Sequence, residues 1–238
     1  MTATQKTVGQ IAAELPASIR VFEKYGIDYC CGGSQPFEDA CRERGIPPAS
    51  LLEEAQAAAS TPGAAQDWTK ASLTELIQHI LSTHHEFLRA ELPAIEQRLQ
   101  KVLEAHGPKH SGSLLPLQQA FLGLQDEIYS HMYKEEAILF PAILNMDADA
   151  AEGRAPAPSP FGTVENPIRM MRHEHDNAAS ALREMRRITG DYTLPDDACA
   201  TYAALYRGLA GVEADLHRHI HLENNILFPR ASQLEQVG

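Results

Sequence analysis

The stretch HMYKEEAILFP, residues 131–141, returns with different filling as HIHLENNILFP, residues 219–229. Each copy spells histidine, three residues, glutamate, three residues, Leu-Phe-Pro. A single H-x-x-x-E arises roughly once by chance in a chain this rich in His and Glu, so one copy would carry no weight. His131/Glu135 and His219/Glu223 are the only two in the chain, and the same apolar triplet follows each at the same offset. They read as one element used twice.

Both copies lie in helical pattern, where apolar residues recur at three and four. On the helix of the first copy the buried face is Leu124, Ile128, His131, Glu135, Ile138; on that of the second it is Val212, Leu216, His219, Glu223, Ile226. The i, i+4 spacing stacks each His–Glu pair one turn apart on one face. A carboxylate in an apolar stripe costs several kcal/mol unless it is paired or bound to a cation. The same anomaly occurs in two other helices, as His85 in the stripe Leu81, Leu88, Leu92, Ile95, Leu99 and as His175 in the stripe Met171, Ala178, Leu182, Met185. The separations, 90 residues from His85 to His175 and 88 from His131 to His219, describe two similar helix pairs.

Four histidines and two glutamates therefore meet at one level of a helical core. Taken singly, each would read as a core histidine satisfied by a carbonyl or water; together they read as metal ligands. Imidazole with carboxylate suits Fe, Zn, Cu or Mn, and two carboxylates able to bridge favour paired ions about 3.5–4 Å apart, with non-haem iron the first choice. Glu86 and Asp176, each directly after a ligand candidate, are candidates for outer hydrogen bonds or plain surface charges. His84 and His79 are the remaining histidines best placed to add a ligand, and most of the others read as solvated.

The rest of the chain agrees with an all-α fold. There is little Val/Ile/Thr alternation and no Asn-Gly or Asp-Gly hairpin signal. A small helical unit is expected over 1–60, with helices near Val8–Leu15, Ser18–Tyr25 and Phe37–Arg44, then a linker over 61–69 and a four-helix bundle over 70–238. The long helices read as roughly 70–104, 114–145, 165–189 and 196–231, the first capped by Asp67 or Ser72. Pro93, Pro141 and Pro229 should kink or end them. With 238 residues and a net charge of −12, the composition argues against nucleic acid as a partner. The start lacks a signal-peptide pattern and no run is long enough to span a bilayer, so the cytoplasm is the expected compartment. Adjacent Cys30 and Cys31 suit a reducing compartment, and flanking Gly32 and Gly33 should leave their thiols accessible for redox chemistry or iron transfer. Cys41 and Cys199 stand alone and read as structural.

With DYCCGG, HHEFLRAELP, HMYKEEAILFP, EHD and HIHLENNILFP in view, the chain resembles the RIC family, bacterial di-iron proteins for repair of iron centres. The resemblance covers nearly the whole length and implies a small cysteine-bearing domain followed by a hemerythrin-like bundle. It implies that His85 and His131 hold one iron and His175 and His219 the other, with Glu135 and Glu223 bridging beside an oxo or hydroxo group. Oxygen-carrying hemerythrins use one histidine more, so this set resembles an open, labile site. The implied function is supply of iron to iron-sulfur clusters damaged by oxidants or nitric oxide, with damaged iron-sulfur proteins as partners and a homodimer as the assembly. The alternatives are a di-iron nitric oxide reductase forming N2O and an O2 or NO sensor.

Overall fold

The computed structural model describes residues 6–59, 66–155, 159 and 161–237. Among these there is no β-strand, and helices follow one another as α1 Val8–Glu14, α2 Ser18–Tyr25, α3 Phe37–Glu43, α4 Pro48–Ala59, α5 Leu73–His79, α6 Glu86–Lys134, α7 Phe140–Ala151, α8 Glu165–Thr189, α9 Ala200–Leu222 and α10 Phe228–Val237. The first three short helices and α8 lie where the sequence puts them. Helix α4 was not foreseen, and the first part of the expected linker, 61–65, lies outside the described residues. Ser72, not Asp67, starts α5: its Oγ accepts from the Glu75 amide while Glu75 accepts from the Ser72 amide, a reciprocal cap.

The described residues form two compact units. One takes the chain as far as Gln78, with Ala142–Glu165 and everything from His217 on; the other takes His79–Pro141 and Asn166–Leu216. In the second unit four helical segments supply one core. It contains Leu88, Leu92, Ile95 and Leu99 from the first part of α6, Leu117, Phe121, Leu124 and Ile128 from its second part, Leu182 and Met185 from α8, and Leu205, Leu209, Val212 and Leu216 from α9. The break expected at 106–113 is a kink rather than a loop: α6 continues through it, and His110 alone leaves the helical region at φ −120°, ψ 19°.

Among the described residues three π-helical turns interrupt the α-helices, at Ile80–His85, Glu135–Leu139 and Glu223–Leu227. In each, an amide reaches back five residues, from Glu86 to Leu81, Phe140 to Glu135 and Phe228 to Glu223. The extra residue moves the stripe by one on one side of the ligand at the first two turns, whereas Ile226 in the third stays buried where the stripe put it. Ile138, expected in the core, is therefore 47 % exposed while Leu139 and Ile143 are buried, and Ile80 is buried where the stripe predicted Leu81. Of the two expected outcomes, a kink or an end, Pro141 and Pro229 do not end their helices. Each directly follows a widened turn, which moves aside the carbonyl a mid-helix proline ring would strike.

The first unit packs α1–α4 around Phe22, Phe37, Val8 and Leu51, and Ile220 of α9 belongs to the same core. Gly9 and Gly33 let two backbone segments close on Asn225: a Cβ at Gly33 would stand 2.7 Å from Asn225 Oδ1 and 2.9 Å from the Tyr29 carbonyl. One of those obstacles is backbone, so the clash cannot be relieved by a rotamer change. Gly33→Ala should destabilise the protein by about 1–3 kcal/mol, read as a lowered thermal midpoint, whereas Gly112→Ala, with nothing within 4 Å of its Cβ, should not.

Candidate metal centre

His85 closes the first π-turn, and Glu135 and Glu223 open the other two. His85 and Glu135 are fully buried, and His131 and His175 retain only 8 % and 2 % exposure. Glu135 turns one carboxylate oxygen to each of two histidines: Oε2 lies 3.3 Å from His85 Nε2, and Oε1 lies 3.3 Å from His131 Nε2. Neither oxygen accepts a hydrogen bond from the described residues. His131 Nε2 and His175 Nε2 are 3.2 Å apart, and His219 Nε2 lies 3.1 Å from Glu223 Oε1.

Two groups of potential ligand atoms result, each lying within 4.8 Å. One is His85, Glu135, His219 and Glu223; the other is His131, Glu135, His175 and Glu223. Both glutamates belong to both groups, and all six residues chosen from the stripes are present. The pairing of histidines differs from the one the resemblance implied: His85 goes with His219 and His131 with His175. A repeat relating 85 to 175 and 131 to 219 is obeyed by either pairing, and only adjacency in space decides between them.

The outer nitrogens explain how the imidazoles are aimed. His85 Nδ1 donates to Glu136 at 2.6 Å and His131 Nδ1 donates to Glu174 at 2.9 Å. An ionised carboxylate only accepts, so the proton sits on Nδ1 and the Nε2 lone pair points inward. Glu174 is held down at about 2 by the His131 hydrogen bond, against burial, with help from Lys134 at 2.5 Å. Burial pushes Glu136 up, but hydrogen bonds from His85 and from Arg89 at 2.5 and 2.6 Å outweigh it, and its net shift is downward. Glu86 and Asp176 are exposed; the carboxylates in these roles come instead from Glu136 and Glu174, each on a different helix segment from its histidine. Single-helix periodicity cannot see such a partner.

His84 is buried, but it turns to Asp215, at 2.9 Å, and belongs to neither group; His79 is half-buried against Thr83. Cys30 is not accessible as expected. It is 5 % exposed in the small core, because its amide and thiol both donate to Asp28 Oδ1, at 3.0 and 3.2 Å. The Cys31 sulfur 3.9 Å away, together with burial, pushes the Cys30 thiol far up. Cys31 is half-buried. The loop is tied to the third π-turn: Asn225 Nδ2 donates to the Tyr29 carbonyl at 3.0 Å and lies 3.0 Å from His221 Nδ1. His221, expected to be solvated, is 1 % exposed, and burial lowers it to about 4. Cys41 is a core residue as expected, but Cys199 is exposed immediately before α9, where the Tyr202 amide and His106 bring its thiol down to about 7.

Comparison with known proteins gives this geometry a context. Residues 76–231 match the family described as hemerythrin HHE cation binding domain, and residues 4–59 match a domain of unknown function, DUF542. The iron-sulfur cluster repair protein YtfE of Dickeya chrysanthemi is 38 % identical over 227 residues, covering 95 % of this chain and 96 % of that one. Its namesakes in Edwardsiella ictaluri and Yersinia pestis are 36 % and 34 % identical, over 97 % and 95 % of this chain and 98 % and 96 % of theirs. The chain belongs to the YtfE family of iron-sulfur cluster repair proteins. Among the described residues no helix is long and apolar enough to cross a membrane.

The donor set fits the cation that a hemerythrin-like YtfE domain takes. Glu135 is a carboxylate without exposed surface that addresses two imidazole nitrogens and is hydrogen bonded to neither. That arrangement is costly as a bare core and favourable around cations. Glu174→Gln should weaken metal binding about 10–100-fold, measured by chelator competition, because it removes the charge that orients His131. Glu135→Leu should lower metal capacity, yet leave the metal-free protein as stable as the parent or up to about 4 kcal/mol more so. A carboxylate that served the apo fold would instead cost stability when removed, and paired melts with and without metal separate the two.

Proposed function

We propose that this YtfE-family chain holds two iron ions in the His/Glu cluster, bridged by Glu135 and Glu223, and supplies iron to iron-sulfur clusters damaged by oxidative or nitrosative stress. The observation that carries the reading is the sharing of both glutamates between two groups of ligand atoms. A single ion would need one group; two overlapping groups suit a pair. When bound, ferrous iron in such a site supplies an exchangeable metal and positions open to exogenous ligands such as NO or O2.

The chain's own residues act on that iron in three ways. Each group provides two imidazoles and two shared carboxylates, short of the six donors that iron accepts, which favours release over permanent retention. Glu136 and Glu174 keep the Nδ1 protons of His85 and His131 in place, so the Nε2 lone pairs face inward. In the first unit, Asn225 ties the third π-turn, opened by Glu223, to the carbonyl directly before Cys30. A change in that turn is thereby passed to the Cys30–Cys31 loop, where Cys31 is the more accessible thiol for receiving or escorting iron. The names of the relatives favour repair over nitric oxide reduction or sensing.

The test uses anaerobically iron-loaded full-length protein and an iron-sulfur dehydratase inactivated by peroxide or NO. Recovered dehydratase activity should rise as iron leaves the donor, with Glu135→Leu inactive and Cys31→Ser slower. Equal recovery with wild type and Glu135→Leu, or none with either, would overturn the proposal.

A further inference from the structure

A second cluster of metal-ligating side chains lies in the second compact unit and shares no residue with the centre described above. His106 and His110 stand one turn apart on α6, and Asp197 belongs to the turn that precedes α9; one ligand atom from each lies within 4.8 Å of the others. His110 Nε2 is 2.8 Å from Asp197 Oδ1. The kink at His110 matters here, since its φ of −120° and ψ of 19° depart from those of its helix at the residue that engages Asp197. Cys199, two residues beyond Asp197, has its thiol hydrogen bonded to His106 and to the backbone N–H groups of Thr201 and Tyr202. Tyr202, 1 % exposed, packs the edges of both imidazoles, with ring centroids 5.3 Å from His106 and 6.3 Å from His110.

An ordinary surface ion pair accounts for part of this. Asp197 accepts from Lys109 at 3.3 Å as well as from His110. That pairing does not explain why His106 brings a ring nitrogen to the same place, nor why a thiol meets it there. Two imidazoles held by a buried tyrosine, a carboxylate and a thiol are the nitrogen, oxygen and sulfur donors that a four-coordinate ion of borderline softness takes.

We propose that His106, His110 and Asp197, with Cys199 as fourth ligand, form a second metal site for a divalent transition ion of the Zn2+ class, separate from the His/Glu centre. Its ligands join the α6 kink to the start of α9, so the ion acts as a clip between segments about 90 residues apart in sequence. Three of its donors already converge, and Cys199, whose thiol meets His106, would complete four without the shared carboxylates of the centre.

The experiment adds Co2+, a spectroscopic substitute for Zn2+, to full-length protein whose His/Glu centre is already loaded with iron. One Co2+ per chain should bind beyond the iron, with a thiolate-to-cobalt absorption that Cys199→Ser abolishes and the Cys30→Ser/Cys31→Ser double variant retains. Zn2+ should displace it. His110→Ala and Asp197→Asn should each weaken binding at least about tenfold while iron content stays unchanged. Asp197→Asn keeps the shape of an exposed residue, so it reports on ligation if the histidine variant misfolds. Absence of extra Co2+ binding, or equal binding in Asp197→Asn, overturns the site; binding without the thiolate absorption overturns the role of Cys199.

Discussion

A carboxylate with no exposed surface has few ways to be stable, and Glu135 is one. Water cannot reach it, and desolvation of a lone carboxylate far exceeds what any one contact returns. Cations held between it and the imidazoles satisfy it best, which requires nitrogens on more than one helix to converge to within a few ångströms of its two oxygens. His85 and His131 do so at 3.3 Å each. Convergence alone would leave the rings free to rotate, and Glu136 and Glu174 prevent that by fixing the far nitrogens. The centre is thus a layered set of charges: inner carboxylate, imidazole, outer carboxylate, and Arg89 or Lys134 at the rim.

The π-turns are the backbone's share of the same constraint. An α-helix repeats its face every three or four residues, so a ligand and the core residues around it must keep one register. Widening a turn by one residue beside His85, Glu135 and Glu223 resets that register locally. Ile80, Leu139 and Ile143 can then be buried on the far side of each ligand. A turn of this kind is a weak point in a helix, and its appearance at three ligand positions fits selection for the site over selection for helix stability.

Much of this was legible in the sequence, for a physical reason. Polar residues standing in an apolar stripe break the pattern that builds a helix core, so His85, His131, Glu135, His175, His219 and Glu223 declare themselves without a structure. What remained hidden is whatever depends on a neighbour across helices. The pairing of histidines, the roles of Glu136 and Glu174, and the turn of His84 toward Asp215 rather than toward the centre have no single-helix signature. Nor does composition show that Gly33 serves close packing on Asn225, and Gly32 on Asp28, more than exposure of the thiol. The π-turns left one trace, the Leu-Phe-Pro that follows two of them, in which a proline sits where an unbroken α-helix would reject it.

The two copies of the repeated phrase differ only outside their shared His, Glu and Ile-Leu-Phe-Pro positions, and their surroundings differ in burial. In the first copy the residues between and after the ligands, Tyr133, Lys134 and Ile138, are exposed or half-buried. Their counterparts in the second copy, His221, Leu222 and Ile226, are all buried. A helix covered on every side must bear side chains that suit apolar surroundings or find fixed partners. In the first unit Ile220 joins the core of α1–α4, His221 packs on the Tyr29 ring at 5.5 Å, and Asn225 holds the Tyr29 carbonyl. One stretch of seven residues therefore carries two candidate ligands, His219 and Glu223, and three residues that pack within the first unit. The outward face of the first copy, with Tyr133 and Ile138 exposed, is that of a surface helix. The divergent letters of the second copy thus follow its packing within the first unit, while the shared His and Glu are the candidate ligands.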